Sequence, residues 1–197
     1  MSWEKPELEW LREKAYAMLK PKRIPHVRGC EKVAAELAKM YGVSEYDAAV
    51  SAILHDITKK ASYEEQLILC EKYGIICDSD ELRNPPILHA KTGAAMAKAM
   101  FDVPENIEHA IRYHTTGRPD MTVLEKIIYL ADCIEPTRTF PGVDDVRALA
   151  YESLDRAMAL MLKMSLEFIC KDGDTAYIDT VNAEKWYKNL TEGEKQI

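Results

Sequence analysis

Apolar residues recur at intervals of three and four through almost the whole chain, and that spacing leaves little besides a helical fold. Cys30, Val33, Ala34, Leu37, Ala38 and Tyr41 mark one stripe, with Glu31, Lys32, Glu36 and Lys39 between them. Gly42 ends that helix, and Ser44 can cap the next. The second helix carries Ala48, Ala49, Val50, Ala52, Ile53 and Leu54, apolar nearly all round, which predicts a central position. Ser62-Tyr63-Glu64-Glu65 and Thr122-Val123-Leu124-Glu125 are capping boxes that open helices toward Tyr73 and Ile134. Pro85-Pro86 precedes a helix from about Leu88 to Phe101, and Pro104 suits the first turn of another that ends near His114. Thr115 to Met121 reads as a loop. Pro136 and Pro141-Gly142 break the chain, after which one long helix is expected from about Asp144 to Cys170, with a short one after Thr180. No sustained alternation marks a strand. The class is all-α, divided into an N-terminal helical extension over 1–22, a main domain over 23–172 and a C-terminal tail over 173–197.

Charge narrows the partners. A net charge of -7 over 197 residues argues against general affinity for nucleic acid or anionic membrane, while leaving room for a small basic pocket. The opening MSWEKPELEW lacks the apolar core of a signal peptide, and no apolar run is long enough to span a bilayer. Cys30, Cys70, Cys77, Cys133 and Cys170 are scattered, odd in number and without a C-x-x-C pair, which suits a reducing cytoplasm better than a disulfide framework.

The polar residues on the apolar stripes carry the functional signal. The run Ala52-Ile53-Leu54 delivers His55-Asp56 and then Lys59-Lys60. A buried ionisable pair is costly unless it is paired or meets a metal. Leu124, Ile127, Ile128, Ala131 and Asp132 fall at i, i+3, i+4, i+7 and i+8, so Asp132 occupies a core position. His114 lies seven after Ile107 and four after Ala110, also inward, whereas His109 falls off that face and should be solvated. His26 follows Ile24-Pro25 at the start of the first core helix. His89 opens the fourth, with Gly93, Ala94 and Ala97 along the same side, small enough for close helix approach.

Each of these has a plain structural reading alone: one hydrogen bond settles a neutral core histidine, and Asp132 could cap a helix or pair with Arg138. The coincidence is harder to explain that way. His26, His55, His89, His114, Asp56 and Asp132 all point inward from five helices. A divalent cation at their convergence would compensate the carboxylates and fix the imidazoles. Mixed His and Asp ligation suits iron, manganese or another first-row metal better than thiol-rich zinc.

These residues resemble the H…HD…D signature of the HD-domain superfamily of metal-dependent phosphohydrolases. Arg23-Ile24-Pro25-His26, His55-Asp56-Ile57-Thr58-Lys59, His89-Ala90-Lys91-Thr92-Gly93-Ala94 and the run from Ala110 to Val143 are similar to the YqeK-like branch. Those are symmetrical bis(5'-nucleosyl)-tetraphosphatases, which bind iron and split diadenosine tetraphosphate into two ADP. The resemblance runs from about Arg23 to Cys170, the span of the main domain. It implies an HD-domain helical bundle with the metal site at the convergence of core helices. By resemblance His26, His55, Asp56 and Asp132 hold the metal, as one or two ions, and Asp56 also orients or deprotonates the attacking water. His89 and His114 face the phosphates or complete a second metal site, in a catalytic or substrate-binding role. Lys59, Thr115 and Arg138 match positions that bind the nucleotide diphosphate, although an exposed lysine, a loop hydroxyl and a surface arginine are ordinary features too. The implied partner is a dinucleoside polyphosphate or nucleotide, with a homodimer left open. A nucleotidase or phosphodiesterase of the same superfamily, and a non-catalytic metal- or nucleotide-binding helical module, stand beside it as alternatives.

Overall fold

The computed structural model describes residues 3–171, 173 and 175–193, and among them no strand occurs. Eleven α-helices follow in order: α1 Leu8–Ala17, α2 Ile24–Met40, α3 Glu45–Leu54, α4 Tyr63–Lys72, α5 Ser79–Arg83, α6 Leu88–Phe101, α7 Glu105–Tyr113, α8 Val123–Ile134, α9 Val143–Ala150, α10 Leu154–Cys170 and α11 Ile178–Gly193. The all-α expectation is met. No helix is long and apolar enough to cross a membrane.

The helix starts follow local chemistry. Ser44 Oγ accepts from Asp47 N–H at 3.1 Å, and Ser62 and Thr122 both form full capping boxes with Glu65 and Glu125. A third box, Asp78 with Glu81, opens the short α5, which the apolar spacing alone did not reveal. Pro104 stands at the cap of α7, one residue before the first turn expected of it. Gly42 closes α2 with φ +69, a backbone conformation that a side chain disfavours.

Two expectations change. The single long helix over 144–170 is two helices, α9 and α10. Ser153 Oγ accepts from Arg156 N–H and starts α10 afresh, and Tyr41 O–H donates to the Ala150 carbonyl at 2.8 Å, capturing the end of α9. The short helix expected after Thr180 extends from Ile178 to Gly193 because Ala183 and Tyr187 on it are core residues.

Seven consecutive residues of α3, Ala48 to Leu54, are buried. The helix packs against α1, α2, α6, α7 and α8, the central position its composition predicts. Leu11 and Ala15 of α1 and Ala183 and Tyr187 of α11 join the same core, so both ends of the chain help build it. The consequence for function is geometric. The C-terminal end of α3, the first turns of α2 and α6, the end of α7 and the last turn of α8 all open onto one point.

Candidate metal centre

The helix ends dictate how the histidines are presented. The last carbonyls of a helix lack intrahelical partners. His55, just past α3, uses this by donating Nδ1–H to the Ala52 carbonyl at 2.6 Å. His114, just past α7, donates Nδ1–H to the Ile111 carbonyl at 2.6 Å. His89 does the same to the Pro86 carbonyl, in the turn that leads into α6, at 2.6 Å. A carbonyl oxygen only accepts, so the proton sits on Nδ1 in all three. Each ring therefore turns its Nε2 toward the common centre. His26 reaches the same arrangement differently: its Nδ1 lies 3.0 Å from the carboxylate of Glu135.

The Nε2 atoms and the carboxylates then crowd together. His26 Nε2 lies 3.1 Å from Asp132 Oδ1 and 3.4 Å from His55 Nε2. His55 Nε2 lies 3.3 Å from Asp56 Oδ2. On the far side, Asp56 Oδ1 lies 3.3 Å from His89 Nε2 and 3.8 Å from His114 Nε2, and those two nitrogens are 3.1 Å apart. Asp56 is fully buried, and its Oδ1 has no hydrogen-bond partner.

The protonation states follow the surroundings. Burial alone would raise the carboxyls of Asp56 and Asp132. The facing histidines outweigh it and hold both well below the usual carboxylate range. Burial holds His114 well below 6.5, with repulsion from His55 and His89 adding to it. Burial also lowers His89, more than Asp56 restores. For His55 burial is outweighed by the charge of Asp56, and the net shift is upward. A neutral His89 and a neutral His114 thus aim lone pairs at an unpartnered carboxylate oxygen. Electron pairs converge there as in a ligand set for a cation. The ligand atoms of His55, Asp56 and His114 lie within 4.8 Å of one another, and so do those of His26, Cys30, His55 and Asp132. Cys30 sits apart in kind: its Sγ is 3.4 Å from His26 Nε2 and 3.8 Å from Nδ1. That places the sulfur against the imidazole, away from the lone-pair direction.

All six inward residues expected from the sequence meet here. The expected phosphate contacts surround them. Lys59, an exposed residue overall, brings Nζ inward to 3.0 Å from His89 Nε2. Thr115 Oγ1 lies 3.1 Å from His114 Nε2. Arg138 flanks the other end, with Nη2 2.5 Å from Asp132 Oδ1 and Nε donating to the Asp132 carbonyl at 2.8 Å. His109 lies outside the cluster, half exposed and 3.7 Å from Glu105, as its helical phase requires.

Two participants carried no role in the sequence reading. Arg23 Nε lies 2.5 Å from Asp56 Oδ2, and its Nη2 is 3.8 Å from Asp132 Oδ1. The signal available was its spacing, three residues before His26. Glu135 is the other, three residues after Asp132 and fully buried.

Comparison with known proteins agrees with this geometry. A family model described as HD domain matches residues 23–137. The symmetrical bis(5'-nucleosyl)-tetraphosphatase of Bacillus subtilis is 40% identical over 183 residues, covering 89% of this chain and 96% of the relative. That of Staphylococcus aureus is 33% identical over 184 residues, covering 91% and 94%. Among solved structures, a "predicted HD superfamily hydrolase involved in NAD metabolism" from Clostridium acetobutylicum superposes with a TM-score of 0.90. It is 31% identical, over 95% of this chain and 100% of the other.

Proposed function

The chain belongs to the HD domain family, and from that premise we propose that it hydrolyses diadenosine tetraphosphate symmetrically, releasing two ADP, as its relatives are named for doing. The observation that carries the chemistry is the buried, unpartnered Asp56 Oδ1 beside the Nε2 atoms of two neutral histidines. Such a cluster is bearable in a core when a cation sits in it. His26, His55, Asp56 and Asp132 would hold that ion, and His89 with His114 would complete a second position or meet the phosphates. The donor set, imidazole and carboxylate, favours iron, with manganese next. When bound, a divalent cation lowers the pKa of a water and neutralises charge on phosphoryl oxygens.

The chain's own groups do the rest. Asp56 is ionised at neutral pH, so its free Oδ1 accepts a hydrogen bond from the attacking water and aims its oxygen at phosphorus. Lys59, beside His89, and Arg138, beside Asp132, present cations to the anionic oxygens of a polyphosphate. Thr115 Oγ1 offers a hydroxyl on the Lys59 side. Together they supply the local positive field that a protein with a net charge of -7 otherwise lacks. The setting we assign is the cytoplasm, supported by five free cysteines.

The test is product analysis. Metal-loaded protein is incubated with diadenosine tetraphosphate, and in parallel with a mononucleotide panel, in oxygen-18 water. ADP as the nucleotide product, with label on half of it, is expected. ATP with AMP would overturn symmetrical cleavage, and an intact dinucleotide beside a hydrolysed mononucleotide would move the chain to another HD-type substrate.

A further inference from the structure

Three of the four clustered histidines give their Nδ1 proton to a neutral main-chain carbonyl, and His26 gives its proton to a carboxylate. Glu135 is an unusual tenant of that position. It is fully buried, at the end of α8, and a buried carboxylate is expensive without compensation. Arg138 offers little: its Nε is 3.8 Å from Glu135 Oε1, because its nitrogens are committed to Asp132. Glu135 is held instead by Thr137, whose N–H donates to Oε2 at 2.7 Å and whose hydroxyl donates to Oε1.

A second residue is shaped around it. Gly29 lies inside α2, three residues after His26, where glycine weakens a helix relative to alanine. A Cβ at Gly29 would fall 2.6 Å from Glu135 Oε2 and 3.2 Å from Glu135 Cβ. The missing side chain is the notch that admits the carboxylate.

We propose that Glu135 is a positioning residue for the metal centre, which locks His26 in its Nε2-presenting tautomer and makes that nitrogen a stronger donor, with Gly29 as the notch that seats it. A ligand histidine whose other nitrogen faces a carboxylate is oriented and made more basic. The cluster is therefore asymmetric. Of the four rings, His26 is backed by a carboxylate, whereas His55, His89 and His114 are backed by neutral carbonyls. The inference rests on His26 being a metal ligand.

Manganese binding to metal-free protein, measured by electron paramagnetic resonance of the free ion, separates the two ideas. Glu135→Gln keeps an acceptor for His26 but removes the charge, and Gly29→Ala pushes the carboxylate away without altering it. Both are expected to weaken manganese binding by roughly 10- to 100-fold. In zinc-loaded protein with nitrogen-15 histidine, the His26 Nδ1–H resonance should be lost or shifted in both, with the other three unmoved. In a His26→Ala background, Glu135→Gln should add nothing. Affinity in both variants within about twofold of wild type, far below the expected loss, would overturn the proposal. So would a Glu135→Gln loss that persists without His26. Wild-type protein that binds no manganese, zinc or iron would overturn the metal reading itself. If Glu135→Gln does not fold, Gly29→Ala carries the test.

Discussion

Arg23 Nε lies 2.5 Å from Asp56 Oδ2, the same oxygen that faces His55 Nε2 at 3.3 Å. The Arg23 side chain is a quarter exposed, and its Nε holds the carboxylate. It competes with a cation for Asp56 and can meet an anion from outside. Arg23→Gln should lower kcat/KM on a tetraphosphate by about 10- to 100-fold, the scale of a lost charge-assisted hydrogen bond of roughly 1.5–3 kcal/mol. Metal content, measured by mass spectrometry on the same preparation, should hold or rise. A fall in both would make Arg23 a support for Asp56 alone.

Arg138 and Lys59 look alike in sequence but differ in attachment. Arg138 bonds both the side chain and the carbonyl of Asp132, whereas the Lys59 ammonium meets the His89 ring. Lys59→Ala should therefore reduce kcat/KM with metal retained. Arg138→Ala should reduce kcat/KM and also loosen the metal, because Asp132 loses its anchor. Paired kinetics and metal analysis check both. Identical profiles for the two variants would contradict this division.

His109 and His114 share α7 and its end but not an environment. His114 is buried in the cluster, and His109 lies against Glu105 and Tyr113 at the surface. His114→Ala should abolish turnover. His109→Ala should leave both turnover and melting temperature near wild type, since surface changes away from special features fall within about 0.5 kcal/mol. Comparable damage from both would mean that the helix face is misassigned.

Much of this is legible in the sequence, and for a local reason. Capping boxes at Ser62 and Thr122 involve residues three apart, and the inward phase of His114 and Asp132 needs only helical geometry. What escaped depends on partners far along the chain. The break between α9 and α10 contains no glycine or proline; Tyr41 reaches across 109 residues to hold Ala150, and Tyr151 O–H donates to Glu36 at 2.8 Å. Arg23 meets Asp56 across 33 residues, and Glu135 meets His26 across 109. The length of α11 follows from what Tyr187 touches: its hydroxyl accepts the Met121 N–H at 3.1 Å, tying the helix to the loop after His114.

Metal-free protein should lose stability in mild acid through His114. Its folded pKa is well below 6.5, chiefly from burial, so the unfolded chain binds a proton that the folded protein refuses. The associated stability is full above 6.5 and drains away as pH falls from there toward the folded value. In chelator-treated samples, wild type should lose more melting temperature than His114→Gln between mildly alkaline and mildly acidic buffer. Parallel losses in the two proteins would show that His114 is not buried neutral.

The turn that carries Lys59 is fastened from beneath, which allows a stability effect to be separated from a metal effect. Thr58 Oγ1 donates to the His89 carbonyl at 2.9 Å and lies 3.0 Å from Thr92 Oγ1. Thr92 donates to Gln66 Oε1 at 2.6 Å, and Gln66 Nε2 donates to the Thr58 carbonyl at 2.8 Å. All three side chains are buried, and their direct hydrogen bonds join the turn after α3 to α4 and α6. Thr58→Val removes one hydroxyl and leaves the Thr92–Gln66 bond in place, so it should cost about 0.5–1.5 kcal/mol. Gln66→Leu removes the shared partner, leaving the Thr92 hydroxyl to the weaker Leu88 carbonyl at 3.2 Å and the Thr58 carbonyl to Ala61 N–H, which should cost about 1–3 kcal/mol. Urea unfolding of the metal-free proteins gives both values. Because none of the three side chains enters the ligand cluster, metal affinity should be unchanged in Gln66→Leu. Release of the turn should still let Lys59 drift from His89 and lower kcat/KM. If metal affinity falls as far as kcat/KM, the ring positions His89 itself, and Lys59 contributes little.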